Sequence, residues 1–155
     1  MVKIKLPSEI MYEGDLLRYA QLLKIPDFRG VKMRDELPNK IYDVECGILN
    51  LNIHLQNGSH WTCWYKKGKT CYYFDSFGEC PPIEMINYLK TPAQIRMDLP
   101  IIHRSAVVVQ HDDSDECGSL CLYVLKKLTD GEEFSNILQH LLQRYTSPST
   151  LSVTV

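Results

Sequence analysis

Apolar positions along the chain recur at helical spacing in some stretches and run together or alternate in others. From Cys117 they fall at Leu120, Cys121, Val124, Leu125 and Leu128, the stripe of a helix packed on one face. Leu16, Leu17, Ala20 and Leu23 predict a shorter helix over 13–24, ended by Pro26. Pro81 and Pro82 open another, with Ile83, Ile86 and Leu89 on one side. Phe134, Ile137, Leu138, Leu141 and Leu142 mark a last amphipathic helix over 132–144. Residues 42–53 are apolar and partly β-branched, the pattern of a buried strand. Two aromatic, β-favouring runs, 60–65 and 70–74, are joined by Lys66-Lys67-Gly68-Lys69 as a hairpin. Residues 101–109 predict a further strand that feeds a polar loop and then Cys117.

The remaining stretches read as connections. Residues 27–40 mix charge with Gly30 and Pro38 and show no period, so they predict loop with room for a short turn of helix. Asn57-Gly58-Ser59 is read as a turn, and Pro92 and Pro100 bracket a connection. Gly131, after Asp130, can take the left-handed cap that stops the Cys117 helix. The Ser- and Thr-rich segment from 146 is expected to be loosely held. The expected organisation is one domain over 1–145 and a flexible tail over 146–155.

Bulk composition narrows the class. At 155 residues the chain can form one domain that buries roughly 70% of its unfolded surface. A hydrophobic content of 45%, a charged content of 23% and a net charge of −2 describe an ordinary globular chain and demand no nucleic-acid partner. The start, MVKIKLPSEI, has no apolar core of signal-peptide length, and no run approaches a bilayer span. An intracellular, non-secreted protein without membrane contact is therefore expected. In that setting the cysteines at 46, 63, 71, 80, 117 and 121 should be reduced, and Asn57-Gly58-Ser59 would never be glycosylated.

The chemistry gathers around Cys117. A cysteine in a helix's first turn meets unpaired backbone N–H groups and the positive end of the macrodipole, and both favour a thiolate. A thiolate nucleophile needs a base, a group that orients the base, and donors for an oxyanion. His60 begins the first hairpin strand and Asp75 follows the second, so antiparallel pairing brings them together. Gln110 ends the strand before the cysteine loop and can present its amide N–H beside the backbone N–H of Cys117. Two such donors form an oxyanion hole, in which losing one costs roughly 100- to 1000-fold. Asp112, Asp113, Asp115 and Glu116 crowd the nucleophile with negative charge, so thiolate formation should depend on a charged His60. One of these acids, or Ser114, is expected to cap the helix. A zinc site from His60, Cys63, Cys71 and Cys80 is the rival. No CxxC pair occurs and strand alternation turns these side chains apart, so no metal is expected.

The order Gly58-Ser59-His60-Trp61, Tyr73-Phe74-Asp75-Ser76-Phe77-Gly78, Gln110 and Cys117-Gly118 resembles the adenovirus-type endopeptidases (adenain) and their Ulp1-like cysteine protease relatives. The adenain side is the nearer, with the glutamine seven residues before the cysteine and Phe-Gly following the acidic member. Asp15-Leu16, Arg34-Asp35-Glu36-Leu37-Pro38 and Glu45-Cys46-Gly47-Ile48 are similar to adenain-like proteases of large DNA transposons and related viruses, so the resemblance spans nearly the whole chain. It implies an α+β, papain-like/adenain-like fold, in which a small central mixed sheet carries His and Asp and a central helix begins at the nucleophile. It implies Cys117 as nucleophile, His60 as general base and then acid, Asp75 as orienter and Gln110 as oxyanion donor. It also implies Trp61 and Gly118 as substrate-binding residues in a narrow channel that admits Gly-Gly-type sequences. The expected activity is a cysteine endopeptidase acting on viral or virus-like structural precursors, in host cytoplasm or nucleus and packaged in virions. It would work as a monomer, without metal or organic cofactor, and with an activating peptide as a candidate partner. DNA activation is not supported, because Lys66, Lys67 and Lys69 form only a small basic cluster. An isopeptidase that removes ubiquitin-like modifiers and an inactive Gly-Gly-binding module are the alternatives.

Overall fold

The computed structural model describes residues 1–52, 60–90 and 102–155. The turn expected at Asn57-Gly58-Ser59, the connection between Pro92 and Pro100 and the start of the strand at 101 lie outside them. The described elements run β1 (Lys3–Lys5), α1 (Glu13–Leu22), β2 (Phe28–Met33), β3 (Val44–Asn50), β4 (Trp61–Lys67), β5 (Thr70–Phe74), α2 (Ile83–Leu89), β6 (Ile102–Arg104), α3 (Cys117–Thr129), α4 (Phe134–Thr146) and β7 (Ser152–Thr154). The central sheet has the order β2-β3-β4-β5-β6. Its middle pairs are antiparallel and both outer pairs, β2 with β3 and β5 with β6, are parallel.

Strand alternation sorts the sheet's side chains into two cores. Cys46, Ile48, Cys63, Tyr65 and Phe74 join the cluster built on α3 and α1, while Leu49, Trp64, Cys71 and Tyr73 pack with Met85 and Leu89 of α2. Helix α3 is the centre of the first core, and apart from Tyr123, Lys126, Lys127 and Thr129 all its residues are buried. Thiols stitch it to the sheet: Cys121 Sγ donates to the Trp61 carbonyl at 3.4 Å, and Cys63 Sγ to the Cys121 carbonyl at 3.8 Å. On the opposite face the Trp64 indole lies over Gly47, where a Cβ would run into the ring. Glu45, 1% exposed, ties that layer together. Its carboxylate accepts from Arg29 Nη1, the Tyr42 N–H and Trp64 Nε1 at 2.9 Å each and from the Tyr88 hydroxyl at 2.6 Å, which is full satisfaction of a buried charge.

The structure departs from the sequence reading in identifiable places. Residues 28–33, expected as loop, are the edge strand β2. All six are half-buried, so neither face imposes an alternation, and the pairing shifts register between Phe28 and Val31, where Gly30 has φ +100°. The strand expected over 101–109 keeps only Ile102–Arg104 as β6. The hairpin turn is tighter than Lys66 to Lys69: β4 continues through Lys67, and Gly68, at φ +62°, makes the reversal with Lys69. In α2 it is Met85, with Leu89, that enters the core, while Ile83 is exposed. The 146–155 tail is tied down. β7 pairs antiparallel with β1, Leu151 and Val153 are buried, and Val2 and Val155 exchange backbone hydrogen bonds at 3.0 and 2.7 Å. Burial of alternate apolar residues outweighs the Ser and Thr content there. Among the described residues no helix is long and apolar enough to cross a membrane.

Candidate active site

The hairpin sets the first two members of the site. His60 immediately precedes β4 and Asp75 immediately follows β5, so residues fifteen apart in sequence meet: His60 Nε2 donates to Asp75 Oδ1 at 2.9 Å. A carboxylate only accepts, so Nε2 carries the hydrogen and Nδ1 is left for the nucleophile. Asp75 is itself held through Oδ1 and its backbone. Its Oδ1 also accepts from the Phe77 N–H at 2.8 Å, and its carbonyl accepts from the Gly78 N–H at 2.8 Å, closing a tight turn. Ser105, fully buried, accepts from the Asp75 N–H at 3.0 Å and donates to the Asp75 carbonyl at 3.1 Å. Gly78 closes the turn at φ +73°, and a Cβ there would sit 3.0 Å from the Val107 backbone. The Phe77 ring stacks on the imidazole, centroids 4.9 Å apart. Asp75 Oδ2 is buried and has no hydrogen-bond partner among the described residues.

Cys117 opens α3, 8% exposed, and lines one groove with His60. Burial alone would push the His60 imidazole down, but the hydrogen bond to Asp75 and the nearby Cys117 sulfur outweigh it and raise the pKa from 6.5 to about 9. The imidazolium is thus the resting form near neutrality, facing a sulfur at a helix N-terminus. The other cysteines have no such partner: burial pushes the Cys46, Cys71 and Cys121 thiols up, away from ionisation. The acidic loop is less repulsive than its sequence suggests. Glu116 is taken up by Arg144 of α4, and Asp112, Asp113 and Asp115 are exposed to solvent. No side chain caps α3 in the ordinary way. Instead Ser114 Oγ accepts from the Glu116 N–H at 3.2 Å, one residue ahead of the helix.

Gln110, 3% exposed, lies beside Cys117 on a groove of about 570 Å³. His60, Trp61, Phe77 and Met33 line the same groove, as do Ile10, Met11 and Tyr12 of the segment before α1. That segment is pinned at two points, by Ser119 Oγ donating to the Pro7 carbonyl at 2.5 Å and by Trp61 Nε1 donating to the Met11 carbonyl at 2.8 Å. Trp61 therefore lines the groove and also fixes its opposite wall. Gly118 has a packing role: a Cβ there would meet Leu16 at 3.1 Å and Met11 at 3.2 Å, and Gly118 is not among the described lining residues. His60, Cys63, Cys71 and Cys80 do not converge, since Cys63 packs toward α3, Cys71 toward α2, and Cys80 is exposed. Among the described residues no three His, Cys, Asp or Glu side chains form a metal-binding group.

No family model matches the chain, and no curated protein matches it in sequence. Solved structures do match. The chain is similar to the ASFV pS273R protease, with a TM-score of 0.57 at 15% identity over 90% of this chain and 67% of that one. The selenomethionine form of the same ASFV protease gives 0.54 at 14% identity over 90% and 68%. This chain has a cysteine-protease fold. At these identities the likeness is one of fold, and it matches the expected α+β architecture with a central mixed sheet packed on a central helix.

Sequence reasoning placed Cys117, His60, Asp75 and Gln110 where a site could form; the structure sets Cys117, His60 and Gln110 on one groove, with Asp75 fully buried and bonded to His60. That reasoning quoted Ser76 and Phe77 without giving them a role and missed Ser105 and Arg144. Ser76 and Phe77 adjoin Asp75 in the chain, which is a readable signal. Ser105 and Arg144 reach the site only through tertiary packing.

Proposed function

We propose that this chain is a cysteine endopeptidase of the adenain-like kind, cleaving at Gly-Gly-type sequences in viral or virus-like structural precursors. The observation that carries the reading is the 2.9 Å bond of His60 Nε2 to Asp75 Oδ1, with His60 and Cys117 on the same groove. The Cys117 thiolate attacks the scissile carbonyl carbon, and the oxyanion is received by the Cys117 N–H and Gln110 Nε2. The His60 imidazolium protonates the departing amine, leaving a thioester on Cys117. Neutral His60 then takes a proton from water as that water attacks the thioester, and the released thiolate recovers its imidazolium partner. Trp61, which follows His60 in the chain, and Phe77, whose ring stacks on the imidazole, both line the groove and support a narrow channel suited to residues without side chains. The likeness in fold to the ASFV pS273R protease supports the protease class.

The test is intact mass after incubation with a peptide ending in Gly-Gly and bearing a C-terminal thiol-reactive warhead. A single adduct on the wild type, absent from Cys117→Ala, supports both the nucleophile and the channel. Labelling of Cys117 by iodoacetamide without any peptide adduct would sink the Gly-Gly reading.

A further inference from the structure

The residue after the triad carboxylate has a role of its own. Ser76 is fully buried, and its hydroxyl lies 2.5 Å from Gln110 Oε1, thirty-four residues away in the chain. At the other end of the same amide, Gln110 Nε2 lies 2.8 Å from the Ser114 carbonyl. A carbonyl can only accept, so the atom facing Ser114 must be the nitrogen and the atom facing Ser76 the oxygen. Ser76 is therefore the donor in its bond. The amide's orientation, usually ambiguous for glutamine, is determined here from both ends. One Nε2 hydrogen is used by Ser114. The second remains on a side chain that lines the groove beside Cys117.

We infer that Ser76 is a positioning residue that holds Gln110 with its N–H, rather than its oxygen, toward the developing oxyanion. This rests on the protease reading above and deepens it. An amide turned over would place Gln110 Oε1 against the Ser114 carbonyl and offer the oxyanion an acceptor where it needs a donor. The Ser76 backbone strengthens the link, since its carbonyl accepts from the Val109 N–H at 2.8 Å and so fixes the residue just before Gln110. The dipeptide Asp75-Ser76 thus organises two functions at once. Asp75 orients the base, and Ser76 orients the oxyanion donor across the site.

A double-variant cycle with a fluorogenic Gly-Gly peptide tests the assignment. Gln110→Ala should lose roughly 100- to 1000-fold in kcat, and Ser76→Ala roughly tenfold with KM nearly unchanged, because only the transition state carries the oxyanion. The double variant should be no slower than Gln110→Ala alone, since Ser76 acts through a side chain already gone. Losses that multiply, or a Ser76→Ala kcat within about twofold of wild type, would overturn the role. A second readout needs no turnover. In 15N-labelled protein, the Gln110 side-chain amide pair is the one that disappears in Gln110→Ala, and in Ser76→Ala it should broaden and exchange faster. An unchanged pair would overturn the proposal even in a chain that cleaves nothing. Failure of the protease reading itself would appear instead as a wild type with neither turnover nor warhead adduct.

Discussion

Arg144 grips Glu116 at two points, Nη2 to Oε1 at 2.7 Å and Nη1 to Oε2 at 3.0 Å, directly beside the residue that opens α3. Both side chains are largely buried, so the pair is shielded, and it removes one negative charge from the immediate neighbourhood of Cys117. Arg144→Ala should leave that charge uncompensated, shift the pH profile of Cys117 alkylation upward, and cost about 1–3 kcal/mol of stability. Alkylation rates against pH, with urea unfolding of the same samples, separate the two effects. A profile that does not move would show that Glu116 does not act on the sulfur.

Stability should depend on pH through His60. Its folded pKa, about 9, lies above the unfolded 6.5. Below the unfolded value both states hold the proton and the contribution is fully present. Between the two values only the folded state holds it, so stability declines as pH rises and the contribution is gone above about 9. Urea unfolding from pH 6 to 10 should show this decline in the wild type and a flatter profile in His60→Ala. The same variant should lose alkylation of Cys117 at neutral pH and below, where the imidazolium otherwise stabilises the thiolate. An unaltered alkylation profile in His60→Ala would disprove the pairing.

Gly78 is the position where a single methyl should disturb the site without touching the reacting groups. Its φ of +73° disfavours any L side chain, and the Cβ would press on the Val107 backbone at 3.0 Å. Gly78→Ala should cost about 1–3 kcal/mol and lower kcat by displacing the turn that holds Asp75 and Phe77. Melting temperature and turnover, measured together, decide it. Full activity at normal stability would mean that the turn tolerates the change.

Much of this was legible in the sequence because β pairing and helix starts are local devices. The hairpin 61–74 announces that the residues flanking it meet, and those are His60 and Asp75. The stripe from Leu120 to Leu128 announces α3, and therefore the position of Cys117 at its N-terminus. What was not legible is whatever tertiary packing decides. β2 is half-buried throughout and carries no period. Residues 152–154 look like tail until β1 supplies a partner. The acidic loop looks repulsive until α4 delivers Arg144, twenty-eight residues downstream.

Glu45 offers a check on the layer beneath the site. Four donors converge on its buried carboxylate. Glu45→Gln keeps the shape but turns an NH2 group toward some of them, and it should destabilise by about 2–4 kcal/mol. Thermal unfolding reads this directly. A loss under about 0.5 kcal/mol would indicate that the cluster rearranges at little cost.

The antiparallel pairing of β1 with β7, closed by the mutual bonds of Val2 and Val155, also decides how the molecule responds to force. Tension applied between the two ends falls on one rung at a time, as on a zipper, rather than on all rungs together. Once those rungs part, the load passes to the Leu6–Leu151 bond and then to the Pro7 carbonyl held by Ser119. The next residues along are Ile10, Met11 and Tyr12, one wall of the groove. Parting β1 from β7 would therefore loosen this wall of the groove while the five-stranded sheet still stood.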